Sequence, residues 1–160
     1  LVTYHPETLS SITSKQCFSI LLDVLNEFKD IYLIFTMPNS DTDSLIIKKL
    51  IEDFVSKNHN RSIAFDSMGY QNYLSTMQFV DGVIGNSSSG LLEAPSFKIG
   101  TINIGYRQMG RKMSESVIQC SCSKESIKKS LNKMYSKSFS SRKKERWCVF
   151  SSEMFELFSI

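Results

Sequence analysis

Val83-Ile84-Gly85-Asn86-Ser87-Ser88-Ser89-Gly90-Leu91-Leu92-Glu93-Ala94 passes from a β-branched apolar run, through small polar residues, into a helical pattern. A strand, a tight turn and a helix start in that order make one leg of a strand–helix–strand crossover. Legs of the same kind lie on either side. Tyr32-Leu33-Ile34-Phe35-Thr36-Met37 is short, apolar and β-rich, as expected of a strand covered on both faces. Ser62 to Phe65, Gly82 to Ile84, Thr101 to Ile104 and the opening Leu1-Val2-Thr3-Tyr4 read the same way.

Helical periodicity fills the gaps. Phe18, Leu21, Leu22, Leu25 and Phe28 recur on one face, with Thr13 and Gln16 spaced as a capping box. Ile47, Leu50, Ile51 and Phe54 repeat the pattern after Asp41, Thr42 and Asp43; Tyr70, Tyr73, Leu74 and Met77 do so again. Ile127, Leu131, Met134 and Tyr135 follow Ser123. Such alternation predicts an α/β fold, a Rossmann-like parallel sheet with helices on both faces. Ligands of these sheets bind beyond the carboxyl ends of the strands. The loops to examine are therefore His5 to Ser11, Pro38 to Asp43, Asp66 to Tyr70, Gly85 to Gly90 and Gly105 to Gly110.

The chain has 160 residues, 41% hydrophobic and 22% charged, which suits one domain with a real core. No apolar run approaches the roughly 20 residues that span a bilayer, so no membrane segment is expected. Part of the +3 net charge falls between Lys137 and Arg146 without interleaved aromatics, which favours a solvated tail over a nucleic-acid surface. Cys17, Cys120, Cys122 and Cys148 form no CxxC pair, and no metal site is expected; free thiols in a reducing cytoplasm are the default. Leu1 already lies in a strand, so the chain is expected to belong to something longer.

In the serine turn, free backbone N–H groups, a helix dipole and hydroxyl donors would converge on an anion, although serine-rich helix caps are also common without one. Glu93 lies one turn on, where a carboxylate either complements the dipole or accepts ribose hydroxyls. Gly105-Tyr106-Arg107-Gln108-Met109-Gly110-Arg111 follows the next strand, and its two arginines suit phosphate or plain solvation. His5, in His5-Pro6-Glu7-Thr8, is either a structural hydrogen-bonder or a donor and proton-transfer group facing the crevice. Asn39 caps a turn or faces the same crevice, and Met68 and Tyr70 either flank a base or join the core.

These motifs occur in one order: His5-Pro6-Glu7-Thr8, Met37-Pro38-Asn39-Ser40-Asp41, the serine turn with Glu93, and Gly105 to Arg111. Together, over residues 1 to about 136, they resemble the C-terminal half of the hydrolysing UDP-N-acetylglucosamine 2-epimerases of bacterial sialic-acid biosynthesis. The resemblance implies the C-terminal domain of a GT-B architecture, with the sugar nucleotide held against an N-terminal domain that this chain lacks. The reaction it implies eliminates UDP from UDP-N-acetylglucosamine and adds water, releasing N-acetylmannosamine. By the same resemblance Ser87 and Ser88 hold the diphosphate, Glu93 the ribose and Arg107 the diphosphate region, and Arg111 is a further nucleotide-binding residue. Asn39 and His5 line the cleft, the backbone near Met68 receives the uracil, and His5 is the residue expected to matter for turnover. No cofactor is implied, and the complete enzyme is expected to be a cytoplasmic homo-oligomer.

The stretch after about Phe139 departs from the family's pattern, so residues 137–160 are set apart as a divergent tail from a truncated or frameshifted gene. Other readings stay open: a GDP-sugar 2-epimerase, a GT-B glycosyltransferase domain, or a nucleotide-binding remnant without catalysis.

Overall fold

The computed structural model describes residues 1–7, 12–38, 44–136 and Phe139. The strands are β1 (Val2–Thr3), β2 (Leu33–Thr36), β3 (Ser62–Phe65), β4 (Gly82–Gly85), β5 (Gly100–Ile104) and β6 (Val117–Cys120). Between them run α1 (Ser14–Glu27), α2 (Ser44–Lys57), α3 (Gly69–Met77) and the single turn α4 (Ser89–Leu92), which leads into a 3-10 turn, Ala94–Phe97; α5 (Lys124–Met134) follows β6. The sheet order is β3-β2-β1-β4-β5-β6, with every neighbouring pair parallel. This is the Rossmann order, and it reverses direction between β1 and β4.

Alternation along the strands sorts side chains to two faces. Leu33, Phe35 and Ile84 meet α1, α2 and α5 in the larger core, whereas Ile34 and Val83 join Met77, Ala94 and Ile99 under α3 and the 3-10 turn. Phe18, Leu21 and Leu25 of α1 are wholly buried, each worth about 1.5–3 kcal/mol of apolar transfer. The Thr13–Gln16 capping box opens α1 as expected. At its other end the guanidinium of buried Arg61 donates to the carbonyls of Leu25, Phe28 and Ile31, satisfying groups that the helix cannot. The expected entry to α2 through Asp41, Thr42 and Asp43 lies outside the described residues.

Three findings differ from the sequence reading. Strand β6 was not anticipated: four residues bordered by polar runs carry too little periodicity to register. The helix after the serine turn lasts one turn, because Pro95 has no N–H with which to continue it and Lys98 closes the following turn in the left-handed region. The thiols are not all free. Cys17 and Cys122 form a disulfide across 105 residues of sequence, and Cys120 is the free, buried cysteine among the described residues. Packing of α1 against α5 brings the two sulfurs together, and sequence spacing carries no trace of that contact.

Candidate functional site

The loops leaving β1 and β4 flank the point where strand order reverses, and Asn86 joins them. Gly85 turns the chain with φ +143°, and a Cβ there would lie 1.9 Å from the Thr3 carbonyl oxygen, so only glycine fits. Asn86 is fully buried. Its Oδ1 accepts from the His5 N–H at 2.7 Å, and its Nδ2 donates to the His5 carbonyl at 2.8 Å and to Glu7 Oε1 at 3.1 Å. Its own carbonyl accepts from Gln108 Nε2 at 2.8 Å and from Arg107 Nη1 at 3.2 Å. One residue thus ties together the loops after β1, β4 and β5. Ser14, the first residue of α1, adds a clamp: its hydroxyl accepts from the Glu7 N–H and donates to the Glu7 carbonyl. Gly105 (φ +77°) passes so close to Glu7 that a Cβ would lie 2.8 Å from its carboxylate.

Beside this hub, Ser87, Ser88 and Ser89 are half-buried. The N–H groups of Ser87 and Ser88 have no hydrogen-bond partner among the described residues. Ser89 Oγ donates to Ser87 Oγ at 3.0 Å and pairs with the Tyr73 hydroxyl at 2.6 Å. Because α4 has one turn, a helix dipole contributes little here; the donors are local N–H and O–H groups. Glu93 Oε2 is shut off from solvent and accepts no hydrogen bond among the described residues, leaving capacity for a hydroxyl donor. Arg107 is exposed beyond its contact with Asn86, with further donors at the mouth of the turn.

The structure therefore gathers His5, Ser87, Ser88 and Arg107 around one buried asparagine, with Glu93 following the turn in sequence. Arg111 is exposed, and among the described residues its N–H donates to the Gln108 carbonyl. Met68 precedes α3 beyond the edge strand β3, half-buried against the smaller core. Asn39 lies outside the described residues. Tyr73, Gln108 and Glu7 carry site contacts that sequence reading did not assign. Tyr73 fell on a helical stripe and read as core, and nothing local marks a glutamine that bonds the loop after β4, 22 residues back. Burial also raises the Tyr4 phenol beneath the site, with Glu7 adding to the effect. No cluster of three or more His, Cys, Asp or Glu suited to a metal occurs among the described residues.

Fold and site define a doubly wound α/β domain with hydrogen-bond donors gathered at its switch point. The chain belongs to the UDP-N-acetylglucosamine 2-epimerase family, whose model matches residues 1–151. It is 42% identical over 118 residues to a GDP/UDP-N,N'-diacetylbacillosamine 2-epimerase (hydrolyzing) of Campylobacter jejuni, covering 74% of this chain and 31% of that protein. It is 39% identical over 133 residues to polysialic acid biosynthesis protein P7 of Escherichia coli, covering 82% and 34%. A UDP-N-acetylglucosamine 2-epimerase of Neisseria meningitidis is 28% identical over 115 residues, covering 72% and 29%. The chain spans about a third of the length of these relatives.

Proposed function

We propose that this chain is the nucleotide-holding portion of a hydrolysing UDP-N-acetylglucosamine 2-epimerase. In that reading Ser87, Ser88 and Arg107 bind the diphosphate, Glu93 the ribose and the backbone near Met68 the uracil, Asn39 lines the cleft, and Arg111 is a further contact to the nucleotide. The observation that carries it is the Asn86 hub, which sets Ser87 and Ser88 N–H groups, without partners among the described residues, beside Arg107 at the switch point. Expelling UDP from C1 while a proton leaves C2 needs charge stabilisation at the phosphates and a base at the sugar. The donors here suit the first task. His5, fixed through its backbone to Asn86, is the residue assigned to turnover, and the remaining groups belong to a second GT-B domain across the cleft.

Residues 1–136 are taken as the binding unit and 137–160 as a divergent tail. A homo-oligomeric, cytoplasmic complete enzyme completes the proposal. No helix among the described residues is long and apolar enough to cross a membrane.

A second substrate reading rests on the Campylobacter relative and on one from Legionella pneumophila, 28% identical and also named for N,N'-diacetylbacillosamine. The nucleotide would then be GDP or UDP, and the sugar a diacetylated one. Calorimetric titration of the chain with UDP and with GDP tests both. Binding of UDP that Ser87→Ala and Glu93→Ala each weaken is expected. Indifference of the chain to millimolar UDP, with neither variant making a difference, sinks the proposal. Turnover of UDP-N-acetylglucosamine against its diacetylbacillosamine analogue by the protein extended to its relatives' length separates the substrates.

A further inference from the structure

Five hydroxyls, one each from β2, β1, α3 and α4 and one from the serine turn, form a line. Thr36 Oγ1 lies 2.9 Å from Thr3 Oγ1, Thr3 3.4 Å from Tyr73 Oη, Tyr73 2.6 Å from Ser89 Oγ, and Ser89 3.0 Å from Ser87 Oγ. The 3.4 Å step is weak; the last two are sound. Each hydroxyl has one hydrogen and two acceptor positions. Ser89 gives its hydrogen to Ser87, so in its bond with Tyr73 it accepts, and the phenol must donate. Ser87 Oγ also takes the Ser89 N–H at 3.4 Å. With one firm and one weak donor already on its oxygen, what Ser87 can still offer a ligand is its hydrogen.

We infer that Tyr73 is a positioning residue that polarises this chain and fixes Ser87 as a donor to an anionic oxygen. The inference deepens the proposed function and rests on the diphosphate occupying the serine turn. Head-to-tail hydroxyls strengthen one another, and the sense of the chain is set at Tyr73, where a phenol gives up its hydrogen readily. Without that donor, Ser89 can reverse and Ser87 can present a lone pair, which repels phosphate oxygen. The effect acts on the diphosphate and not on the nucleoside.

Titration of the 160-residue chain with UDP and with uridine tests this. Tyr73→Phe is expected to weaken UDP about 3- to 10-fold, the worth of one hydrogen bond, and to leave uridine and the melting temperature unchanged. Ser89→Ala is expected to match it, the double variant to add nothing further, and Ser89→Thr to restore binding. UDP affinity unchanged in Tyr73→Phe and Ser89→Ala, while Ser87→Ala loses it, overturns the chain and leaves the diphosphate site standing. Equal losses for UDP and uridine reduce Tyr73 to a packing residue and also overturn it. No UDP binding by the unaltered chain removes both this inference and the function on which it rests.

Discussion

Asn86 has no exposed surface, and both hydrogens of its amide are committed to the loop that carries His5 and Glu7. Its truncation in Asn86→Ala removes the bonds that the amide makes to the His5 N–H and carbonyl and to Glu7 Oε1, in a buried setting. A loss of about 2–4 kcal/mol is expected in urea denaturation, since buried groups left unsatisfied cost more than the bonds themselves contribute. Because this side chain locates the loop carrying His5, and its residue's backbone carbonyl receives Arg107, UDP affinity should fall along with stability. Wild-type stability in Asn86→Ala would show that the loops are held by other contacts. Asn86 stood in the quoted serine turn from the start, yet its sequence neighbours reveal no task for it. The partners of its side chain lie 79 to 81 residues away, and those of its carbonyl 21 and 22.

Among the elements, α1 is tied covalently to the turn before α5 and by charge to α5 itself. Glu27 of α1 bonds Lys124 at 2.6 Å and Lys128 at 2.7 Å, and these contacts, Lys124 first, hold its carboxyl down at about 2 from 4.5. A depressed carboxylate contributes stability above its unfolded value and loses it as pH falls through the folded one. The melting temperature should therefore drop between about pH 4.5 and 2 more steeply in the native chain than in Glu27→Gln, and added salt should narrow the difference. Identical acid profiles for the two proteins would show that the ion pairs contribute nothing.

The Cys17–Cys122 bond closes a long loop, and by chain entropy its reduction should cost roughly 2–5 kcal/mol. Denaturation with and without dithiothreitol, alongside Cys17→Ser, measures that. A proposed cytoplasmic home favours the dithiol form of this pair. Alkylation trapping of the thiols at the moment of lysis reports which form the cell holds. Cys120 is a poor participant in exchange, because burial pushes its thiol up to about 11 against an opposing bond from Ser130.

For the molecule as a whole, six of the ten exposed large apolar residues among those described, Leu45, Ile46, Tyr70, Leu92, Tyr106 and Met109, lie in segments that follow strand carboxyl ends. A rim of that kind around a binding edge suits coverage by further protein. Co-expression with the remaining two-thirds of the family's length should lower binding of a hydrophobic dye and slow hydrogen exchange at α4 and the Gly105 loop. Unchanged dye binding would argue that the rim faces solvent in the complete protein.

Periodicity and capping are local properties, so five of the strands, the α1 capping box, the Ser123 cap of α5 and the parallel α/β class were legible in the residues alone. The serine turn was legible too, as a strand-to-helix junction rich in small donors. Strand order, the reversal between β1 and β4, the Cys17–Cys122 bond and the hydroxyl line through Tyr73 were decided only by tertiary structure. Each of these depends on which distant segments pack side by side. That choice follows from long-range burial and hydrogen-bond satisfaction, which leave no mark at short sequence spacing.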